Sequence, residues 1–311
     1  MKKEQFTLFY DEIYSSGLDP RARFPVDRYK KLYERLKELD VENRINWKRP
    51  RLAEKEELLL VHEESYVNRF LDQRLREDEI RRIGLRPWKR EIVERTLRLT
   101  GGALEGLQLV LEGNNLAGNM AGGTHHAFSG AGAGYCIFND LAICARKALL
   151  NKDINKVAIL DLDVHQGDGT AEIFKKEDRV YTVSMHGKNN FPFRKTTSNW
   201  DLEFENYVED EEYLKTLDGV LDDLETRSFD LIFFQTGVDT LASDALGLMN
   251  LSREGLRERN RKVFEWRERM KSPMLLFMGG GYANPIEDTV DAFCDLFLYA
   301  GKKSMKLVGD A

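Results

Sequence analysis

Between Asp161 and Asp168 the chain reads "DLDVHQGD", three carboxylates and an imidazole directly after the apolar run Val157, Ala158, Ile159, Leu160. Burying an unpaired carboxylate is strongly unfavourable, so acids at the end of a covered strand are expected to be paired or to hold a metal. Asp163 and His165 stand two apart at that strand end and are expected to project from one face. A carboxylate with an imidazole suits Zn²⁺. A catalytic zinc takes three protein ligands and keeps one position open, and Asp239, in "QTGVDT" at another strand end, is the natural third. Such an Asp–His–Asp set carries two negative charges and suits a dication.

His125 and His126 form a second constellation, adjacent in a chain with only five histidines. Neighbouring imidazoles do not easily share one metal, but both can line a pocket from a loop, and histidine is the usual acid and base near neutral pH. Each needs a partner on its other ring nitrogen, and Asp161 and Asp168 are the carboxylates left unassigned. Tyr282 follows three glycines after a strand, where its phenol could donate to a developing oxyanion. His62 lies in a helical pattern and reads as a hydrogen-bonded structural residue.

These residues need a scaffold that brings distant segments to one edge. The first half is mostly helical in pattern: "FPVDRYKKLYERLKEL", "EELLLVHEESYVNRFLDQRL" and "REIVERTLRLTGGALEGLQLVLEG" repeat apolar positions at helical spacing. From about Leu116 strands and helices alternate. "KVAILDLDVH", "RVYTVSMH", "DLIFFQTGVD" and "PMLLFMGGGY" read as buried strands separated by helical runs. That pattern predicts an α/β fold, one domain over residues 1–311, with a mostly parallel sheet covered by helices on both faces. In open parallel sheets ligands bind beyond the carboxyl ends of the strands. Here each apolar run ends in polar or glycine residues, "DLDVHQGDG", "VSMHG", "QTGVDT" and "MGGGY", and "NMAGGTHHAFSGAGAGYCIFND" adds a glycine-rich segment.

Composition excludes several classes. A net charge of −6 with no basic run argues against nucleic-acid binding. The start "MKKEQFTLFYDEIYSSG" lacks an apolar segment and a cleavage site, so no signal peptide is expected. No apolar window is long enough to span a membrane. Cys136, Cys144 and Cys294 are odd in number and widely spaced, which suits reduced thiols in the cytoplasm and neither disulfides nor a cysteine zinc site.

Taken together, "RFPVDRYKKLYERL", "GGTHHA", "GYCIFND", "DLDVHQGDG", "VSMHGKNNFPF", "GVDTLASDALG" and "GGGY" resemble the zinc-dependent histone deacetylase family over nearly the whole chain. Gln166, where class I members have a second histidine, and the short "FPF" resemble class IV and bacterial members. The resemblance implies the arginase/deacetylase fold. It implies one catalytic Zn²⁺ on Asp163, His165 and Asp239, and His126 paired with Asp168 as general base and then acid. It further implies His125 paired with Asp161 as a charge stabiliser and Tyr282 as the group that polarises the acyl carbonyl. A K⁺ ion is implied near Asp161, Ser184 and the carbonyls of Asp163, His165 and Met185, with a second alkali ion at the carbonyls of Phe174 and Val180. Tyr135 and Phe191 would wall the channel for an acyl-lysine stem, with Gly134 and Gly280 beside it.

The implied reaction is removal of acetyl or longer acyl groups from lysines of proteins or peptides. Acylated polyamines and other small acylated amines are the alternative substrates. The chain departs from the family pattern just before "RFP", where many relatives carry a histidine and this one has Arg21, Ala22 and Arg23. A binuclear-manganese ureohydrolase of the same fold is the rival enzyme, but it needs a denser ligand set than Asp163, His165 and Asp168, with Gly167 between the last two. A non-catalytic acyl-lysine binder is the rival outside enzymes. Oligomeric state is not legible in the sequence.

Overall fold

In the computed structural model, which describes residues 5–19 and 21–304, the apolar runs of the second half become strands as their composition requires. The ends of the expected domain, residues 1–4 and 305–311, and residue 20 lie outside the described residues. In chain order the first half contains β1 (Phe6–Phe9), α1 (Arg28–Leu39), β2 (Ile45–Lys48), α2 (Lys55–Leu58), α3 (Glu64–Leu71), α4 (Glu77–Ile83) and α5 (Glu91–Leu111). There follow β3 (Leu116–Asn119), α6 (Asp140–Ala148), β4 (Val157–Asp161), α7 (Asp168–Phe174), β5 (Val180–Gly187) and β6 (Trp200–Phe204). The last elements are α8 (Asp210–Glu225), β7 (Leu231–Gln235), α9 (Arg253–Met270), β8 (Met274–Phe277) and α10 (Ile286–Ser304).

The eight strands form one sheet in the order β2-β1-β3-β8-β7-β4-β5-β6. Every pairing between these eight strands is parallel. Val157 to Leu160, Leu231 to Phe234 and Met274 to Phe277 are all at most 1% exposed, which explains their unbroken apolar runs. Both faces are covered, as β1 makes plain. Phe9 points toward Gly106 of α5, while Phe6 stacks on Phe297 of α10 at 6.4 Å. Residues an odd number apart on a strand face opposite sides.

The order carries the functional geometry. From β3 the chain crosses to β4, continues outward to β5 and β6, then returns to insert β7 and β8 between β4 and β3. The carboxyl ends of β3, β8, β7 and β4 therefore stand side by side at the point where the winding reverses, the usual place for a site in such a sheet.

β1 and β2 lie in the half that the sequence reading took as mostly helical, and β3 and β6 fall outside the four segments it named as strands. Thr7 interrupts β1, and β2 and β6 are edge strands with half-exposed residues, so none shows the unbroken apolar run of the central strands. The expected helix through "EELLLVHEESYVNRFLDQRL" is two helices, α2 and α3, and His62 sits in the turn between them. There the Glu63 N–H donates to the Ser129 carbonyl at 2.9 Å, which draws the turn toward the glycine-rich loop instead of the helix axis. All three cysteines are free and buried. Among the described residues no helix is long and apolar enough to cross a membrane.

His62 fastens that turn with both ring nitrogens. Nδ1 donates to the Phe128 carbonyl at 3.0 Å, and Nε2 accepts from the Asn139 N–H at 2.9 Å. Burial pushes its pKa down to about 4, because a second ring proton would face the Asn139 N–H with no acceptor. The unfolded chain takes a proton near pH 6.5 and the folded chain does not, so His62's contribution is complete above about pH 6.5 and lost as pH falls toward 4. A His62→Gln variant should be less stable near neutrality but should lose about 2 kcal/mol less than the parent between about pH 7.5 and 5. Urea midpoints at the two pH values measure the difference.

Candidate active site

The segment after β4 builds the centre of the site. The strand ends at Asp161, so Asp163 and His165 lie in the loop beyond it and are brought together by the turn, not by strand alternation. The His165 N–H donates to Asp163 Oδ1 at 3.0 Å, and the Asp163 N–H to Asp161 Oδ1 at 3.2 Å. Asp239, from the loop after β7, accepts the Val164 N–H at 2.9 Å, which locks the two loops together. Asp163, His165 and Asp239 offer ligand atoms within 4.8 Å of one another, and all three residues are buried.

The charge in this cluster fits a divalent cation. His165 Nδ1 lies 3.0 Å from Asp163 Oδ1 and 3.1 Å from Asp239 Oδ2. Burial alone would depress the His165 pKa, yet its hydrogen bonds to the two carboxylates raise it to about 10. Burial, with Asp163 alongside, pushes the Asp239 carboxyl upward. The two acids thus hold positive charge between them. One Asp163 oxygen is already oriented, since Oδ2 accepts from Gln235 Nε2 at 2.7 Å and from the Gly280 N–H at 2.8 Å. A Cβ on Gly280 would overlap Asp239 Oδ2 and come within 2.9 Å of Asp163 Oδ2, so only glycine allows this approach.

The loop after β3 supplies the paired imidazoles. His125 Nδ1 lies 2.6 Å from Asp161 Oδ2, and His126 Nδ1 lies 2.7 Å from Asp168 Oδ1 at the start of α7. The rings are 4.1 Å apart, yet their environments drive them in opposite directions. Burial opposes a charge on His125, but Asp161 and Asp163 outweigh it and raise its pKa to about 9. Burial and the neighbouring His125 push His126 down to about 4, against the pull of Asp168. Two adjacent groups with separated pKa values are the arrangement from which acid and base roles are made.

Tyr282 closes the site from the end of β8. Its N–H donates to Asp244 Oδ2 at 2.7 Å, and Asp244 Oδ1 also accepts the Leu246 and Gly247 N–H groups at 2.8 Å each. Burial holds the Tyr282 phenol well above its usual pKa, so it stays a donor. His126, His165 and Tyr282 open onto a cavity of about 390 Å³, with Gly134, Tyr135 and Phe191 in its walls. Phe191 stands nearly perpendicular to His126 at 4.9 Å, and Tyr135 lies 5.9 Å from Tyr282. The remaining expected residues are also placed. Ser184 pairs in register with Asp161, beside Met185 on β5. Phe174 and Val180 are joined by a turn in which Glu177 N–H donates to the Phe174 carbonyl and Val180 N–H to that of Glu177.

Several residues of the site were not legible as such in the sequence. Gln235 orients Asp163, as described. Arg259, fully buried on α9, donates to the carbonyls of Gly237 at 2.7 Å, Thr236 at 3.1 Å and Leu162 at 3.3 Å, and so ties the ligand-bearing loops from below. Arg28 donates to the carbonyls of Gly281 at 2.7 Å and Gly279 at 3.1 Å, anchoring the glycines before Tyr282. Both arginines occupy apolar-face positions of their helices, Arg259 between Leu256 and Val263, and that misplaced charge was the available signal. Gln166 clamps the segment beyond Phe191: its Nε2 donates to the Thr196 carbonyl at 2.6 Å and to Asp201 Oδ1 at 2.8 Å, and its Oε1 accepts the Thr196 N–H.

A family model described as "Histone deacetylase domain" matches residues 22–295. The chain belongs to the histone deacetylase family. It is 41% identical over 286 residues to an uncharacterized protein of Picosynechococcus sp., covering 92% of this chain and 95% of that one. It is 30% identical over 256 residues to Histone deacetylase 2 of Arabidopsis thaliana, 78% of this chain and 66% of the plant protein. The acetoin utilization protein AcuC of Staphylococcus aureus is 31% identical over 257 residues, 75% of this chain and 65% of AcuC. Matches to the plant and staphylococcal relatives thus span about two thirds of their lengths. An HDAC homolog from Aquifex aeolicus shares the fold, with a TM-score of 0.81 over 96% of this chain and 84% of that one, at 24% identity. An HDAC homolog complexed with SAHA superposes with a TM-score of 0.79 over the same shares. In this histone deacetylase family member, Arg259→Met should leave three buried carbonyls unmet. A loss of about 3 kcal/mol or more is expected in urea unfolding.

Proposed function

We propose that this chain is a zinc-dependent deacylase acting on acyl-lysine side chains of proteins or peptides, with residues 1–311 as one catalytic domain. The observation that carries this reading is the buried Asp163–His165–Asp239 set lying against two His–Asp pairs whose protonation is driven apart. The neighbouring HDAC homolog complexed with SAHA is consistent with it. A single metal is favoured over a binuclear ureohydrolase centre by Gly167, whose Cβ would overlap Asp161 Oδ2 and press on His125 at 3.3 Å, leaving no room for another ligand.

Asp163, His165 and Asp239 would hold Zn²⁺, which supplies Lewis acidity at the acyl oxygen and a lowered pKa for water. His126, neutral and oriented through Nδ1 by Asp168, accepts the water's proton and then passes it to the departing lysine amine. His125, charged and held by Asp161, stabilises the negative charge that develops beside it. Tyr282 donates its phenolic hydrogen to the acyl oxygen as that charge grows. Gly134, Tyr135 and Phe191 hold the apolar lysine stem, with Gly280 at the base. Asp161, Ser184 and the carbonyls of Asp163, His165 and Met185 would take a K⁺ ion, whose charge would offset buried Asp161. Phe174 and Val180 would border a second. The reduced cysteines support a cytoplasmic setting, and the Gln166 clamp fits the class IV-like and bacterial pattern.

A panel of acetyl-, butyryl- and myristoyl-lysine peptides with N-acetylputrescine, with and without chelator, tests the reading. Hydrolysis of acyl-lysine that stops on chelation and returns with zinc is expected, with one zinc per chain by elemental analysis. No hydrolysis of any substrate by zinc-loaded protein, or two manganese ions per chain, would overturn it. Tyr282→Phe should keep its metal and lose about 10²-fold or more in kcat. Asp239→Asn should lose the metal itself.

A further inference from the structure

The lining of the cavity that opens above the site carries a cation and no carboxylate. Arg23 lines it, exposed, from the segment just before Phe24. Its neighbour Arg21 is engaged with Asp19 at 3.2 Å, whereas Arg23 forms no hydrogen bond or ion pair with any described residue. By contrast, Arg253 is held by Asp291 and Asp295, and Arg261 by Glu258 and Glu265. The Arg23 charge is felt at Tyr135, where it opposes the upward push of burial on the phenol. Phe193, 86% exposed, also lines the cavity and is followed in sequence by Arg194, which is exposed and without an acidic partner among the described residues.

No aspartate or glutamate is among the described residues that line this cavity; Asn189, Asn190, Leu246 and Leu248 complete its lining. In a chain of net charge −6, an opening with an uncompensated cation and no carboxylate is a local reversal of sign. A lysine stem lying between Tyr135 and Phe191 leaves the groups attached to the lysine backbone at this opening, within the field of Arg23.

We propose that Arg23 selects substrates that carry a carboxylate beside the acylated lysine and disfavours those that carry a second ammonium group. The carboxylate can come from an Asp or Glu flanking the lysine or from a C-terminal acyl-lysine. Acylated polyamines, with ammonium groups where this site offers no acid, are poor substrates on this account. The inference rests on the deacylase reading and names the substrate class of that same site.

The test uses matched acetyl-lysine peptides with acidic, neutral or lysine flanks, a C-terminal acetyl-lysine peptide as free acid and as amide, and N-acetylputrescine. Parent, Arg23→Gln and Arg23→Glu proteins are compared on each. In the parent, kcat/KM for the acidic peptide should exceed that for the neutral one by roughly 3- to 5-fold, mostly through KM. That ratio should approach 1 in Arg23→Gln, fall below 1 in Arg23→Glu, and shrink in the parent at about 0.5 M salt. The free-acid and amide pair shows whether a terminal carboxylate serves as well as a flanking side chain. A ratio equal in all three proteins, or a parent preference for lysine flanks or N-acetylputrescine, would overturn the role of Arg23 while leaving the deacylase reading intact. Failure of the zinc-loaded parent to hydrolyse even the neutral peptide would overturn both.

Discussion

The structure turns on the concentration of negative charge at the carboxyl ends of β4 and β7. Asp161, Asp163, Asp168 and Asp239 are each at most 5% exposed, and a protein cannot keep such acids ionised and apart from water without counter-charge. Three kinds of partner meet that demand. Imidazoles at 125, 126 and 165 contact all four acids, backbone N–H groups of Val164, His165 and Gly280 donate to Asp239 and Asp163, and Gln235 adds a neutral donor. The same electrostatics separate the two neighbouring histidines. His125 faces two carboxylates, which raise its pKa against the effect of burial, while burial and the neighbouring His125 lower that of His126.

The surrounding framework holds these groups at fixed distances. Arg259 and Arg28 reach up from opposite ends of the sequence to bind the carbonyls of three strand-end loops, so the loops are hydrogen-bonded from beneath by guanidinium groups that water does not reach. Asp244 does the same from the side, with three backbone N–H groups converging on one carboxylate. Irregular backbone buried at this depth needs partners for its polar groups. Buried arginine is well suited to that task because one planar group offers several donors.

How much of this could be read in the sequence depends on range. The central strands were legible because β4, β7 and β8 are unbroken apolar runs, and α9 begins and ends where its helical pattern does. The site was legible because its residue types are rare, with four of the five histidines and Tyr282 at strand ends or adjacent glycine-rich loops. What escaped were features set by long-range contacts. Four-residue β1 carries too little pattern, and the break between α2 and α3 depends on His62 meeting a loop more than sixty residues away. Gln235 and Arg259 are ordinary residues by type, and only the packed sheet shows what they touch.

The insertion of β7 and β8 between β3 and β4 also governs the order in which this protein can come into being at the ribosome. Synthesis proceeds from the amino terminus, and a domain generally folds as a unit. When residues up to β6 have appeared, β3 and β4 have no neighbour to bridge them, for the two strands that will lie between them are still unmade. The acids of β4 then face an open seam, and His125 and His126 hang from a strand that β8 does not yet flank. Sheet closure and completion of the site are therefore one event, and it falls late, in the last quarter of the chain.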